Sequence, residues 1–249
     1  MVNLDHKTAY IDHVANLEAE LASDDALREA VGGNFIAVGK LEYHLLRSLG
    51  LTDGQLVVDV GCGSGRLAVQ LAPYPGINYI GSDVVPRLLD YARNLTKRSE
   101  WKFVVTDGNG IPCEDQAADF TVFFSVFTHL LHEESFKYIL EANRCLKLGG
   151  LLVFSFLEFR IPCHWDTFLG AVKNAKQGSH LTQFLDRDAI RVWAENSGFK
   201  VESISDGDSG HIPIPEEIRM DSGARMGTLG NMGQSVAILR KVKEAAKIA

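Results

Sequence analysis

Apolar positions fall in two alternating styles along the chain. Short, largely apolar runs occur at Leu56–Val60, Phe103–Val105, Phe120–Phe124 and Leu151–Phe156, interrupted only by Asp59, Thr121 and Ser155, and a further pair stands at Tyr79-Ile80. Between and around them, apolar residues return at helical spacing. Ile11, Val14, Leu17 and Leu21 share one helix face, and Leu41, Leu45, Leu46 and Leu49 share another. Leu88, Tyr91, Ala92 and Leu95 repeat the pattern, as do Phe136, Ile139 and Leu140. Near-continuous apolar runs fit strands buried on both faces, and the helical stretches between them fit crossovers of a parallel sheet.

The pattern predicts a helical stretch over 8–31, broken by Gly32-Gly33-Asn34, and a second helix over 36–49 that Gly50 stops. A helix starting at Pro86 follows the second strand. The third strand covers 102–106, the fourth 120–125, a helix 133–147, and the fifth strand 151–156. After Phe159 the regularity lapses, and 160–183 reads as a partly helical insertion above the carboxyl ends of the strands. Asp186 caps a helix ended by Gly198, with strands over 199–204 and 235–239. Residues 205–233 hold six glycines, three methionines and two prolines with no long periodic run. That stretch is either a lid or a surface hairpin extension.

The chemistry concentrates after the first strand. Val57-Val58-Asp59-Val60 runs directly into Gly61-Cys62-Gly63-Ser64-Gly65-Arg66, and Asp83 ends the next apolar run, 22 positions beyond Gly61. Strand, glycine turn, helix, strand and acid form the layout of a nucleoside site, with the acid placed to accept from ribose hydroxyls. Arg66 occupies the place where a dinucleotide fingerprint needs Gly or Ala, which argues against NAD. Asp59 is an acid near the end of a buried strand and needs a partner.

This motif resembles that of the class I S-adenosylmethionine-dependent methyltransferases, apolar-apolar-Asp-apolar-Gly-x-Gly-x-Gly. Two later segments match as well. Strand three ends at Asp107-Gly108, and Leu146-Lys147-Leu148-Gly149-Gly150-Leu151 resembles the family's turn before strand five. The resemblance covers about residues 50–160 and the end of the chain. It implies an α/β three-layer sandwich with a seven-stranded, mostly parallel sheet and an antiparallel last strand. Residues 1–49 become an N-terminal helical extension, either covering the pocket or packing on the sheet. Residues 50–160 become the cofactor-binding core, and 161–249 an inserted cap with the last helix and strands six and seven.

By the same resemblance the cofactor is S-adenosylmethionine. The implied contacts are Asp59, Gly61, Cys62, Gly63 and Gly65 at the glycine loop, Asp83 and Val84 at the ribose, Asp107 and Gly108 at the adenine, and Ser125 after strand four. His129, just past strand four, is a candidate general base, or a residue that only starts a helix. His164, Trp165 and His180 in the insertion are candidate acceptor-binding residues.

Composition narrows the acceptor. The chain has 249 residues, 46% of them apolar, which supplies a full core. Net charge is −7, and no basic stripe appears before the last helical segment, which disfavours nucleic acid. Four dispersed cysteines form no C-x-x-C pair, and no His/Cys/Asp/Glu cluster has metal spacing, so no metal is expected. No signal-like start or apolar span of ~18 residues is present, and a cytoplasmic protein is the expectation. The expected function is methylation of a small-molecule acceptor at O or N. The alternatives are a same-fold isomerase or cyclase that keeps the methyl group on the cofactor, and a non-catalytic ligand-binding protein.

Overall fold

The structure, a computed structural model, describes residues 6–21, 23–173 and 181–246. Seven strands form the central sheet: β1 (Leu56–Val60), β2 (Asn78–Asp83), β3 (Lys102–Val105), β4 (Ala118–Phe123), β5 (Leu146–Phe156), β6 (Phe199–Ser205) and, last in the chain, β11 (Ser235–Lys241). Their order is β3-β2-β1-β4-β5-β11-β6. β1 pairs in parallel with both β2 and β4, and β11 runs antiparallel to both β5 and β6. The expected fold class is therefore the observed one.

The alternation of side chains along a strand sorts the sheet into two covered faces. In β5, Leu151 and Val153 join one core cluster, while Leu152, Phe154 and Phe156 join the opposite one. In β11, Val236 and Ile238 take the first face and Ala237 and Leu239 the second. Helices α3 (Phe35–Ser48) and α4 (Arg66–Leu71) cover the first face. Helices α6 (His132–Cys145) and α8 (Arg187–Asn196) cover the second. A smaller cluster joins α1 (His6–Glu20), α2 (Ser23–Glu29) and α5 (Pro86–Thr96) through Val14, Leu27, Leu88 and Tyr91. No helix among the described residues is long and apolar enough to cross a membrane.

Three boundaries depart from the expectation. The single helical stretch over 8–31 is two helices, with Asp24 and Asp25 in the first turn of α2. β5 starts at Leu146, not Leu151, because Leu146 already pairs with Ala118 across a register shift. Residues 205–233 form two small hairpins. β7 (Ile212–Pro213) pairs with β10 (Leu229–Gly230), and β8 (Ile218–Arg219) with β9 (Arg225–Met226). This arm is built into the core: Ile212, Ile214 and Ile218 are buried in the cluster that contains Leu41 and Leu45 of α3. A Cβ at Gly230 would lie 2.3 Å from Leu41 Cδ2, so glycine permits the close approach. Polar contacts add to the docking. Lys40 Nζ donates to Glu216 at 2.6 Å, and Asn34 and Asp221 exchange backbone-to-side-chain bonds of 2.8 Å. In the 160–183 insertion, α7 (Pro162–Lys173) is the regular element.

Candidate active site

Strand order reverses between β1 and β4, and sheets of this kind bind ligands at that switch point, beyond the carboxyl ends of the strands. A cavity of about 980 Å³ lies there. Gly61 follows β1 with φ +70° and donates its N–H to Ser82 O at 2.7 Å. A Cβ on Gly61 would meet Val126 Cγ2 at 2.5 Å, so only glycine lets the turn lie against the loop after β4. That loop begins at Ser125, which itself holds φ +61°.

Asp83 ends β2 and is 5% exposed. Its Oδ2 accepts from Gly63 N–H at 3.0 Å and its Oδ1 from Val85 N–H at 2.9 Å. Each oxygen keeps a lone pair for a further donor. Burial pushes its carboxyl up to about 6, against the lowering pull of these backbone bonds. Asp59 is 3% exposed and accepts from Tyr79 Oη–H at 2.7 Å. Burial, with Glu42 and Asp83 adding repulsion, pushes Asp59 up to about 7. Glu42 of α3 is 1% exposed and accepts from Arg66 Nε at 2.7 Å, and burial raises it to about 6. Arg66 also donates to Val31 O and to Ser125 Oγ. Two buried carboxylates, Glu42 and Asp59, thus share one arginine.

Of the residues that the resemblance assigns to the cofactor, all but Gly63 and Gly65 line the cavity. Gly63 acts one step back, through its N–H on Asp83. Gly65 (φ +84°) serves packing: a Cβ there would sit 2.7 Å from Ala92 Cβ of α5. His129 lines the cavity, with Nδ1 2.9 Å from Leu181 O and its ring stacked on Tyr10 at 6.2 Å. A carbonyl only accepts, so Nδ1 carries the hydrogen and the neutral ring has its lone pair on Nε2. His164 is elsewhere. It is 1% exposed, accepts from Glu158 N–H at Nδ1, donates from Nε2 to Gly233 O at 2.9 Å, and is off the cavity wall. Trp165 is also off the wall, 45% exposed in an aromatic group with Phe159 and Phe168. His180 lies outside the described residues. Among the described residues no three His, Cys, Asp or Glu side chains group around a metal position.

Several wall residues carry no local motif. Tyr10 of α1, Met220 and Met232 of the arm, and Gln234 before β11 all reach the cavity. Glu42 did leave a signal, since it interrupts the apolar face of α3 between Leu41 and Leu45.

Asp59 gives a prediction about pH. A carboxyl near 4 when unfolded and about 7 when folded binds more protons in the native state between those values. Its contribution to stability is therefore fully present below pH 4 and lost as pH rises through 7. Asn at this position keeps an acceptor for Tyr79 and removes the slope. Asp59→Asn should stabilise the ligand-free protein by about 1–3 kcal/mol at pH 8. Thermal melts at pH 5 and pH 8 test this; a wild-type-to-variant difference that does not change between them would refute it.

The cavity fits S-adenosylmethionine on these observations. An anchored, buried acid stands where a ribose would bind, glycine-only turns bring backbone close, and carboxylates suit a sulfonium cation. Residues 58–154 match a family model described as a methyltransferase domain. A demethylmenaquinone methyltransferase of Tropheryma whipplei is 33% identical over 110 residues, 43% of this chain and 44% of that protein. A ubiquinone biosynthesis O-methyltransferase of Coxiella burnetii is 27% identical over 158 residues, 61% of this chain and 66% of that one. The chain thus spans between 44% and 66% of the length of these curated relatives. A solved SAM-dependent methyltransferase from Thermotoga maritima shares the fold, with TM-score 0.59 and 20% identity, over 93% of this chain and 100% of that one. Residues 58–154 of this chain thus match a methyltransferase domain, on a fold shared with a solved SAM-dependent methyltransferase, and the cavity at the strand ends fits S-adenosylmethionine.

Proposed function

We propose that this chain is an enzyme that moves the methyl group of S-adenosylmethionine to a small-molecule acceptor. The observation that carries the reading is Asp83, buried at the end of β2 with both oxygens fixed by backbone N–H groups and facing the cavity. Bound there, the cofactor supplies an activated methyl on a positively charged sulfur. The chain's own residues then bind, orient and exclude water. In this reading the N-terminal extension contributes Tyr10, His13 and Leu17 to the cavity lining, and the segment after 160 contributes Met220, Met232 and Gln234. The curated relatives, named for ubiquinone biosynthesis and demethylmenaquinone, support a small acceptor. The acidic total charge supports a partner other than nucleic acid.

Where the acceptor is an O–H group, His129 would take its proton at Nε2, while the cofactor would supply the methyl group by loss of its methyl–sulfur bond and leave as S-adenosylhomocysteine. In that case His129→Ala should lower kcat about 100-fold or more and leave cofactor affinity unchanged. Calorimetry with S-adenosylmethionine and S-adenosylhomocysteine, beside NAD, tests the cofactor. Product mass then tests the reaction, because transfer adds one methylene unit. Binding of NAD alone, or turnover with no gain in mass, would overturn the reading.

A further inference from the structure

Strand ends and the loops after them carry the residues assigned to the cofactor. α3 and the arm line the same cavity through Val38, Met220 and Met232, and Gln234 lies on its wall just before β11. One polar side chain on that wall has a fixed orientation. Ser125 N–H donates to Ser155 Oγ at 2.7 Å, so the Ser155 hydroxyl hydrogen is free to point elsewhere. It points at Gln234, 2.7 Å away. Gln234 Oε1 receives it, since an amide NH2 has no lone pair to offer. The Gln234 NH2 is thereby turned away from Ser155. Among the described residues no acceptor for it is recorded, and Gln234 is on the cavity wall. Ser155 is 2% exposed and sits in β5, so this orientation rests on the sheet and not on a loop.

We propose that Gln234 is the acceptor-docking residue, donating its amide N–H to a neutral oxygen of a flat, largely apolar substrate held against Val38, Met220 and Met232. Ser155 is the positioning residue behind it. Two arguments set the substrate class. An NH2 donor needs an oxygen or nitrogen lone pair, and methionine side chains pack well against aromatic faces. Glu42, Asp59 and Asp83 on the same cavity disfavour an anionic acceptor. The class is therefore a phenol, quinol or ketone on an aromatic or alicyclic body. This rests on the methyltransferase reading above.

The test uses 2-naphthol, 2-naphthoate and naphthalene as probes on the full chain loaded with S-adenosylhomocysteine, read by ligand-observed NMR titration. Wild type should bind 2-naphthol at least tenfold more tightly than either of the others. Gln234→Leu should erase the preference for 2-naphthol over naphthalene, and Ser155→Ala should reduce it severalfold. S-adenosylhomocysteine affinity should stay within threefold in both variants, which also shows that they fold. Unchanged 2-naphthol binding in Gln234→Leu would overturn the docking role. Preference for 2-naphthoate, or no binding of any probe while S-adenosylhomocysteine binds, would overturn the substrate class. Absence of S-adenosylhomocysteine binding would instead overturn the methyltransferase reading, and this proposal with it.

Discussion

Asp83→Ala should weaken S-adenosylhomocysteine binding by about 100-fold or more in calorimetry. Ribose hydroxyls donating to an ionised carboxylate form charge-assisted bonds, each worth roughly 1.5–3 kcal/mol. The lone pairs left on the two Asp83 oxygens allow two such bonds. The alanine variant also strands the N–H groups of Gly63 and Val85, which now end on the carboxylate. The glycine loop loses its anchor together with the ligand's partner, so both effects act in one direction. Asp83→Asn is not a mild change here. Its NH2 would face either Gly63 N–H or Val85 N–H, donor against donor, and a loss of about tenfold is expected.

The pH dependence of binding follows from the same residue. Burial holds Asp83 at about 6, and hydroxyl donors favour its charged form. S-adenosylhomocysteine affinity should therefore fall as pH drops below 6, and binding at pH 6 should release protons. Buffers of different ionisation enthalpy read that release directly. Affinity that is flat from pH 5 to pH 8 in wild type, or retained in Asp83→Ala, would place the ribose elsewhere.

The sheet was legible because its signals are local. Strands buried on both faces are nearly continuous in apolar residues, as Leu56–Val60 and Phe120–Phe124 are apart from Asp59 and Thr121, and glycine is the only residue that permits the turn at Gly61. The cofactor side of the site shares this property, since one strand-loop-strand unit carries Asp59, Gly61 and Asp83. The acceptor side does not. Tyr10, Ser155 and Gln234 converge from α1, β5 and the end of the arm, and no spacing in the chain reports that meeting. His164 shows the reverse error. Its position in an insertion after strand five suggested a ligand contact, yet both ring nitrogens bond to the backbone. A histidine that ties two segments together looks, in sequence, like one that faces a ligand. The arm misleads through composition. Its glycines permit close packing on α3 as at Gly230, and its three isoleucines sit in the core.

The largest stability effect should come from Glu158, which sits just past β5 at 2% exposure. Arg187, at the start of α8, grips it with two bonds, Nε to Oε2 at 2.8 Å and Nη2 to Oε1 at 2.5 Å. Ser235 Oγ donates to the same Oε1, and Arg187 reaches on to Asp206. Glu158 N–H is held by His164, which in turn holds Gly233 O, and Gly207 N–H donates to Ser235. One carboxylate therefore ties the end of β5 to α7, α8 and both ends of the arm. Glu158→Ala would leave a guanidinium that is 14% exposed with only Asp206, itself 41% exposed, as partner. Breaking one side of such a pair costs about 3 kcal/mol, a fall in Tm of roughly 6–12 °C for a chain of this size. The penalty belongs mostly to the stranded partner. Glu158→Leu combined with Arg187→Met should accordingly be less destabilised than the sum of the two single variants. Asp83 is on β2, across the sheet from this knot, so S-adenosylhomocysteine affinity should change less than about threefold in Glu158→Ala. Gln234 lies between Gly233 and Ser235, both held in the knot, so binding of 2-naphthol should suffer first. A Tm within about 2 °C of wild type would show that the arm is held by its apolar and polar contacts with α3 and the residue before it, without this knot.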